Sequence, residues 1–127
     1  MKLLLDTHTF LWFIEDSPRL SAKAKNLLES DIELLLSVGS VWEMAIKFSI
    51  GKLNLAQPFE VFIPDQLAKN AIKLQPLTVQ HLVLVSALPL HHRDPFDRLL
   101  IAQALVEQLP IVSIDNQLDP YGIKRVW

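Results

Sequence analysis

Cysteine is absent from this chain, which excludes disulfides, thiolate nucleophiles and any zinc site built on sulfur. A bound metal would have to rest on oxygen or imidazole. No run of about 18 uncharged apolar residues occurs, and the apolar start Leu3-Leu4-Leu5 is cut at once by Asp6, too short a stretch for a signal-peptide core. No membrane span is expected, and the chain is placed in the cytoplasm. Charge of one sign is lacking too: 12 basic against 14 acidic residues leave a net charge of -2. Broad attraction to nucleic acid is therefore excluded, and any such contact must use a local patch or a bridging cation. Repeats, linkers and low-complexity segments are missing as well. One domain over residues 1–127 is expected, half apolar and large enough for a full core.

What is there is organised around residues 91–104, His-His-Arg-Asp-Pro-Phe-Asp-Arg-Leu-Leu-Ile-Ala-Gln-Ala. Asp94 before Pro95 reads as an N-cap followed by the first helical residue, since proline has no N–H to lose there and its φ is already helical. Asp97 then falls in the first turn, near the positive end of the helix dipole. The body that follows, with Phe96, Leu99, Leu100, Ile101, Ala102 and Ala104, is apolar on most sides and suits an element buried against a sheet. A carboxylate is thus held at the rim of a core.

In chain order, Lys2-Leu3-Leu4-Leu5 reads as a buried strand ending at Asp6. A helix is expected over Phe10 to Glu15, and a second, capped by Ser21, over Ala22 to about Glu29. Glu33 to Ser37 is the second strand. Ser40-Val41-Trp42-Glu43 fits a capping box, which predicts a helix from Val41 to about Ile50 stopped by Gly51 and gives Glu43 a plain structural alternative to any ligand role, a bond to the Ser40 N–H. Residues 51–64 show little pattern, although Phe59 to Ile63 holds apolar positions that could serve core, dimer seam or partner groove. Further helices are expected over Asp65 to Ala71 and, capped by Thr78, to about Ser86, with an extended stretch at Ile72 to Leu77 between them. Pro110-Ile111-Val112-Ser113-Ile114-Asp115 repeats the first pattern, an apolar strand ending in aspartate. Ile123 to Val126 is a last edge strand after the turn Asp119 to Gly122.

Alternation of strands and helices implies an α/β fold with a mostly parallel sheet covered on both faces. Right-handed crossovers then put Asp6 and Asp115 on one edge of the sheet, which also receives the helix starts carrying Glu43 and Asp97. Four carboxylates converging without a partner would repel one another and raise their pKa values. A hard divalent cation such as Mg²⁺ resolves this, binding carboxylate and water oxygens, and it suits attack of water on a phosphodiester.

The ordered set Leu3-Leu4-Leu5-Asp6-Thr7-His8, Ser40-Val41-Trp42-Glu43, Asp94 to Ala104 and Ile111 to Asp115 resembles the PIN-domain ribonucleases, and within them the small VapC-type toxins of bacterial toxin-antitoxin pairs. The resemblance covers essentially the whole chain and implies a three-layer α/β/α fold. By motif, Asp6, Glu43, Asp97 and Asp115 match the family's metal-binding acids. It further implies Mg²⁺ or Mn²⁺, cleavage of RNA, a homodimer and a small cognate antitoxin. One departure is Ser113-Ile114-Asp115, where many members carry Thr-x-Asp; a hydroxyl is retained.

Other candidates carry plain structural alternatives. Thr7, Thr9, Ser40 and Ser113 neighbour the acids and could bond ligand carboxylates, or cap and turn. Asp94 is a cap or an additional outer ligand. Arg93 and Arg98 could hold phosphate, or Arg98 could pair with a nearby acid. His8, His91 and His92 lack helical zinc-ligand spacing, leaving proton transfer, an RNA contact or a structural role. Trp12, Trp42 and Phe96 are assigned to the core rather than to base stacking. The rival functions are a phosphoryl-transfer enzyme of the haloacid dehalogenase type, which would want a second Asp where His8 stands, a DNA nuclease of the flap-endonuclease kind, and a non-catalytic PIN-like binding module.

Overall fold

A computed structural model describes all residues, 1–127. Five parallel strands form one sheet in the order β3-β2-β1-β4-β5. The strands are β1 (Lys2–Leu5), β2 (Glu33–Ser37), β3 (Ile72–Gln75), β4 (Ile111–Val112) and β5 (Arg125–Val126), the last at an edge. The helices are α1 (Thr7–Ile14), α2 (Ala22–Leu28), α3 (Val38–Ser49), α4 (Phe59–Lys69), α5 (Val79–Ala87) and α6 (Pro95–Glu107), with a 3-10 turn at Asn116–Tyr121. None is long and apolar enough to cross a membrane.

The leucine runs of β1 and β2 are uniformly apolar because both faces of the sheet are covered. Strand alternation divides them. Leu3, Leu5, Leu34 and Leu36 join Phe10, Met44 and Phe62 on the face covered by α1 to α4, whereas Leu4 and Leu35 meet Ile111, Leu100, Ile101 and Ala104 on the α6 face. The chain lays β2 and β3 to one side of β1, then returns through α5 and α6 to place β4 on the other. The topological switch point therefore lies between β1 and β4, and their carboxyl ends are where such sheets gather ligands.

Two helix starts differ from expectation for one reason. α1 begins at Thr7 rather than Phe10, because Asp6 is both the residue after the strand and the N-cap, its side chain accepting from Thr9 N. α3 begins at Val38 rather than Val41: Ser37 ends β2 and caps the helix through Gly39 N. Ser40 lies buried in the first turn and is not the cap. Both strands pass into helices with no intervening loop. α4 starts at Phe59, well before the expected Asp65, since burying Phe62 and Ile63 outweighs the backbone hydrogen bond lost at Pro64. Those two residues are core, while Val61 is exposed.

α3 and α6 approach closely at Gly39, where any side chain would have to displace the end of Leu99. A Cβ at Gly39 would stand 2.7 Å from Leu99 Cδ2 and 3.2 Å from Ser37 Oγ. Gly39→Val is expected to lower stability by about 1–3 kcal/mol, the usual cost of overpacking, read as a lower denaturation midpoint with an unchanged slope.

Candidate active site

Asp6, Glu43, Asp97 and Asp115 come from four segments; Ser113 links Asp6 to Asp115 and His92 lies against Asp115 and Asp97, while Glu43 is bonded to Thr7, the neighbour of Asp6, and to Lys47. Asp6 follows β1 and is 6% exposed. Its Oδ1 accepts from Thr9 N at 2.7 Å, and its Oδ2 accepts from the Ser113 hydroxyl. That hydroxyl in turn accepts from Asp115 N at 3.0 Å, so the serine standing where threonine is common performs two bonds that a hydroxyl must supply. Glu43, on the second turn of α3, does not reach back to Ser40. Its Oε1 accepts from Thr7 Oγ1 at 2.8 Å and its Oε2 from Lys47 Nζ at 2.9 Å.

Asp94 caps α6, Oδ1 accepting from Phe96 N at 2.8 Å and Asp97 N at 3.2 Å. Its role as a cap is thereby accounted for by contacts. Asp97 follows in the first turn, and its carboxyl is pushed up from 3.8 to about 7. Burial is the main cause, and the negative charges of Asp94, Asp6 and Glu43 add to it. The smaller, charge-driven part of this rise is the repulsion expected of carboxylates gathered without a cation.

Sequence reasoning left His92 among three undistinguished histidines, yet it is the residue that joins the remaining acids. It is buried, and its Nε2 lies 2.8 Å from Asp115 Oδ2 and 3.3 Å from Asp97 Oδ2. These three side chains bring ligand atoms within 4.8 Å of one another. The signal in the sequence was its place two residues before the helix cap, which fixes the ring beside the start of α6. His91 is exposed with its ring against Tyr121, and His8 is exposed beside Trp12.

Arg98 takes neither role expected of it. Nη1 donates to the carbonyls of Pro89 and His92 and to Tyr121 Oη, and Nη2 donates to the carbonyls of Val85 and Leu88. The guanidinium is spent on the loop between α5 and α6, so it neither pairs with an acid nor stays free for phosphate. Arg93 is exposed. Trp42 also departs from its core assignment: it is 58% exposed and packs edge-on against Phe96, with ring centroids 5.1 Å apart. Trp12 is half-buried against Trp127.

Oxygen-rich, sulfur-free and mutually repelling, this donor set fits a hard divalent cation better than any softer metal. The PIN-domain family model matches residues 3–124. This chain belongs to the PIN-domain family. Relatives of this PIN domain include ribonuclease VapC22 of Mycobacterium tuberculosis, 30% identical over 98% of both chains. Ribonuclease VapC16 of the same organism is 35% identical over 50% of this chain and 48% of its own length, so that match spans about half of the relative. The PIN domain's backbone is also similar to a chain in the crystal structure of VapBC2 from Rickettsia felis bound to a promoter DNA fragment. There the TM-score is 0.74 at 13% identity, covering 99% of this chain and 98% of that one. The last likeness bears on fold alone, and it agrees with the parallel α/β architecture.

Proposed function

We propose that this PIN domain is a metal-dependent endoribonuclease toxin of a toxin-antitoxin pair, acting in the cytoplasm and hydrolysing RNA phosphodiester bonds at the cluster of Asp6, Glu43, Asp97 and Asp115. The observation that carries the proposal is the placing of acids from separate segments at one sheet edge, Asp97 and Asp115 about His92 and Asp6 joined through Ser113, where burial first and the charges of Asp94, Asp6 and Glu43 next push the Asp97 carboxyl to about 7. Folding alone gives no reason to keep that repulsion. The relatives named as ribonucleases support the choice of substrate.

The four acids would hold Mg²⁺ or Mn²⁺, which supplies charge neutralisation at the phosphate and a water made more acidic. The chain's own groups prepare the site. Thr9 N and Ser113 fix both oxygens of Asp6, Thr7 and Lys47 fix those of Glu43, and the start of α6 presents Asp97. Exposed Arg93 and His8 are proposed as contacts for the backbone of an RNA strand, while the hydroxyls of Thr7 and Ser113 hold the acids.

Two apolar surfaces support protein partners. A cavity of about 300 Å³ lies between α1, α4 and the segment before α4, lined by Leu11, Ile14, Leu55 and Phe62 among others. Val79, Leu82 and Val83 form an exposed apolar face on α5. A cognate antitoxin and a second copy of the chain are the occupants proposed for such surfaces.

The test is cleavage by the purified, partner-free chain in Mg²⁺ or Mn²⁺ against EDTA, with single-stranded and flap DNA in parallel. RNA cutting that EDTA abolishes and returned metal restores is expected. Preferential DNA cutting would make the protein a DNA nuclease. No cutting of any substrate, with no metal binding by calorimetry, would leave a binding module on the same fold.

A further inference from the structure

We infer that His92 is a positioning residue held in one tautomer, with the proton on Nε2, and that it fixes Asp115 by donating to it, with Asp97 close beside the same nitrogen, rather than by binding the cation itself. The inference rests on the proposed cation site, but its geometry stands apart from RNA cleavage. The backbone N–H of Asp94 donates to His92 Nδ1 at 3.2 Å. A backbone amide has only a proton to offer, so Nδ1 must present a lone pair, and the ring proton sits on Nε2.

Nε2–H then faces two carboxylate oxygens, Asp115 Oδ2 at 2.8 Å and Asp97 Oδ2 at 3.3 Å. Turning the ring over would put carbon at both positions and break every one of these contacts, so the orientation is determined from both sides. A nitrogen carrying a proton has no lone pair for a metal. The group of His92, Asp97 and Asp115 is therefore an imidazole hydrogen-bonded to one carboxylate and close beside a second, not a separate three-ligand metal site.

The loop around the ring is built to keep it there. Tyr121 Oη accepts from the backbone N–H groups of His91 at 3.0 Å and His92 at 2.8 Å, and donates to Pro89 O at 2.7 Å. Arg98 holds His92 O from the other side. Asp115 is the beneficiary: Oδ1 is committed to Gln117 N at 2.9 Å, and Oδ2 takes the imidazole proton. Both oxygens are thus aimed before any cation arrives, and each retains a further lone pair for it. Outer partners of this kind typically change metal affinity by about 10–100-fold when removed.

The experiment uses the full ¹⁵N-labelled chain without metal, His92 being assigned by comparison with His92→Gln. Long-range ¹H–¹⁵N correlation is expected to give a pyridine-type shift at Nδ1 and a pyrrole-type shift at Nε2. In Mn²⁺ titrations followed by calorimetry, His92→Ala should bind at least about 10-fold more weakly than wild type, and His92→Gln, which keeps an N–H donor at similar reach, should recover most of that loss. The opposite tautomer, Mn²⁺ hyperfine coupling to a directly bound His92 nitrogen, or unchanged Mn²⁺ affinity in His92→Ala would each overturn the inference. Failure of the wild-type chain to bind Mn²⁺ would overturn the cation site, and the tautomer spectrum would still judge His92 independently.

Discussion

Asp97→Asn is expected to reduce metal-dependent RNA cleavage by about 10³-fold or more while leaving the chain at least as stable as the wild type. A bound cation contributes several kcal/mol of charge stabilisation, and each ~1.4 kcal/mol is a factor of ten in rate. Asparagine keeps the shape of the side chain but removes the charge a hard cation requires. The helix start is not put at risk, because Asp94 is the residue that caps it.

Stability is expected to move the other way, and with pH. Asp97 has its carboxyl at about 7 in the folded chain against 3.8 ordinarily. Below pH 4 it is protonated in both states. Between about 4 and 7 the folded form alone keeps the proton, so its contribution to stability falls as pH rises, and above about 7 the whole penalty is present. Three pH units would correspond to about 4 kcal/mol, but the side chain is 32% exposed, and solvent screening reduces the penalty to an order of 1–2 kcal/mol. At pH 8 without metal, Asp97→Asn should melt higher than wild type; at pH 4 the difference should vanish. Mg²⁺ should raise the wild-type midpoint at pH 8 and leave the variant nearly unmoved. Thermal denaturation at both pH values checks all of these outcomes, and a variant less stable than wild type at pH 8 would show that the ionised Asp97 carries no penalty from burial or from its neighbours' charges.

The layout of the fold was legible because it depends on patterns visible one segment at a time. Apolar runs of leucine ending in Asp6 and Ser37 announce buried strands, and Asp94-Pro95 announces a helix start to the residue. The helix starts at Thr7 and Val38 were not legible, since each strand hands directly to a helix whose cap is itself the strand's end. A serine three residues before a glutamate is an incomplete signal when another serine, Ser37, stands three residues earlier. Glu43 then belongs to a contact between segments: it meets Thr7, 36 positions away, and no local rule anticipates that partner. The same holds for His92 and Asp115, 23 positions apart. Trp42 misled for a different reason. Its neighbours are apolar, but its own position on α3 faces outward beside Phe96. What short-range periodicity supplies is which segments exist and where acids sit on them; the bonds that orient those acids arise only when the strands close into one sheet.

Arg98→Lys is expected to cost about 2–4 kcal/mol, more than an exchange of one cation for another would suggest, because hydrogen bonds from charged donors contribute about 1.5–3 kcal/mol each before screening. The planar fork bonds the carbonyls of Val85, Leu88, Pro89 and His92 as well as Tyr121 Oη. An ammonium group is a single point with three donors and cannot span that set. The unmet carbonyls belong to the end of α5 and the loop that presents His92, so the loss should appear twice: as a lower urea midpoint, and as weaker Mn²⁺ binding through a displaced imidazole. Arg93→Ala provides the contrast. Its side chain is exposed, its removal should change stability by less than about 0.5 kcal/mol, and any effect should fall on RNA binding. If Arg98→Lys unfolded at the wild-type midpoint, the loop would be held by Tyr121 alone and the placement of His92 would have to be traced to the hydroxyl rather than the guanidinium. Two basic residues five positions apart thus separate cleanly, one bonded into the scaffold of the site and the other exposed, with RNA as its proposed contact.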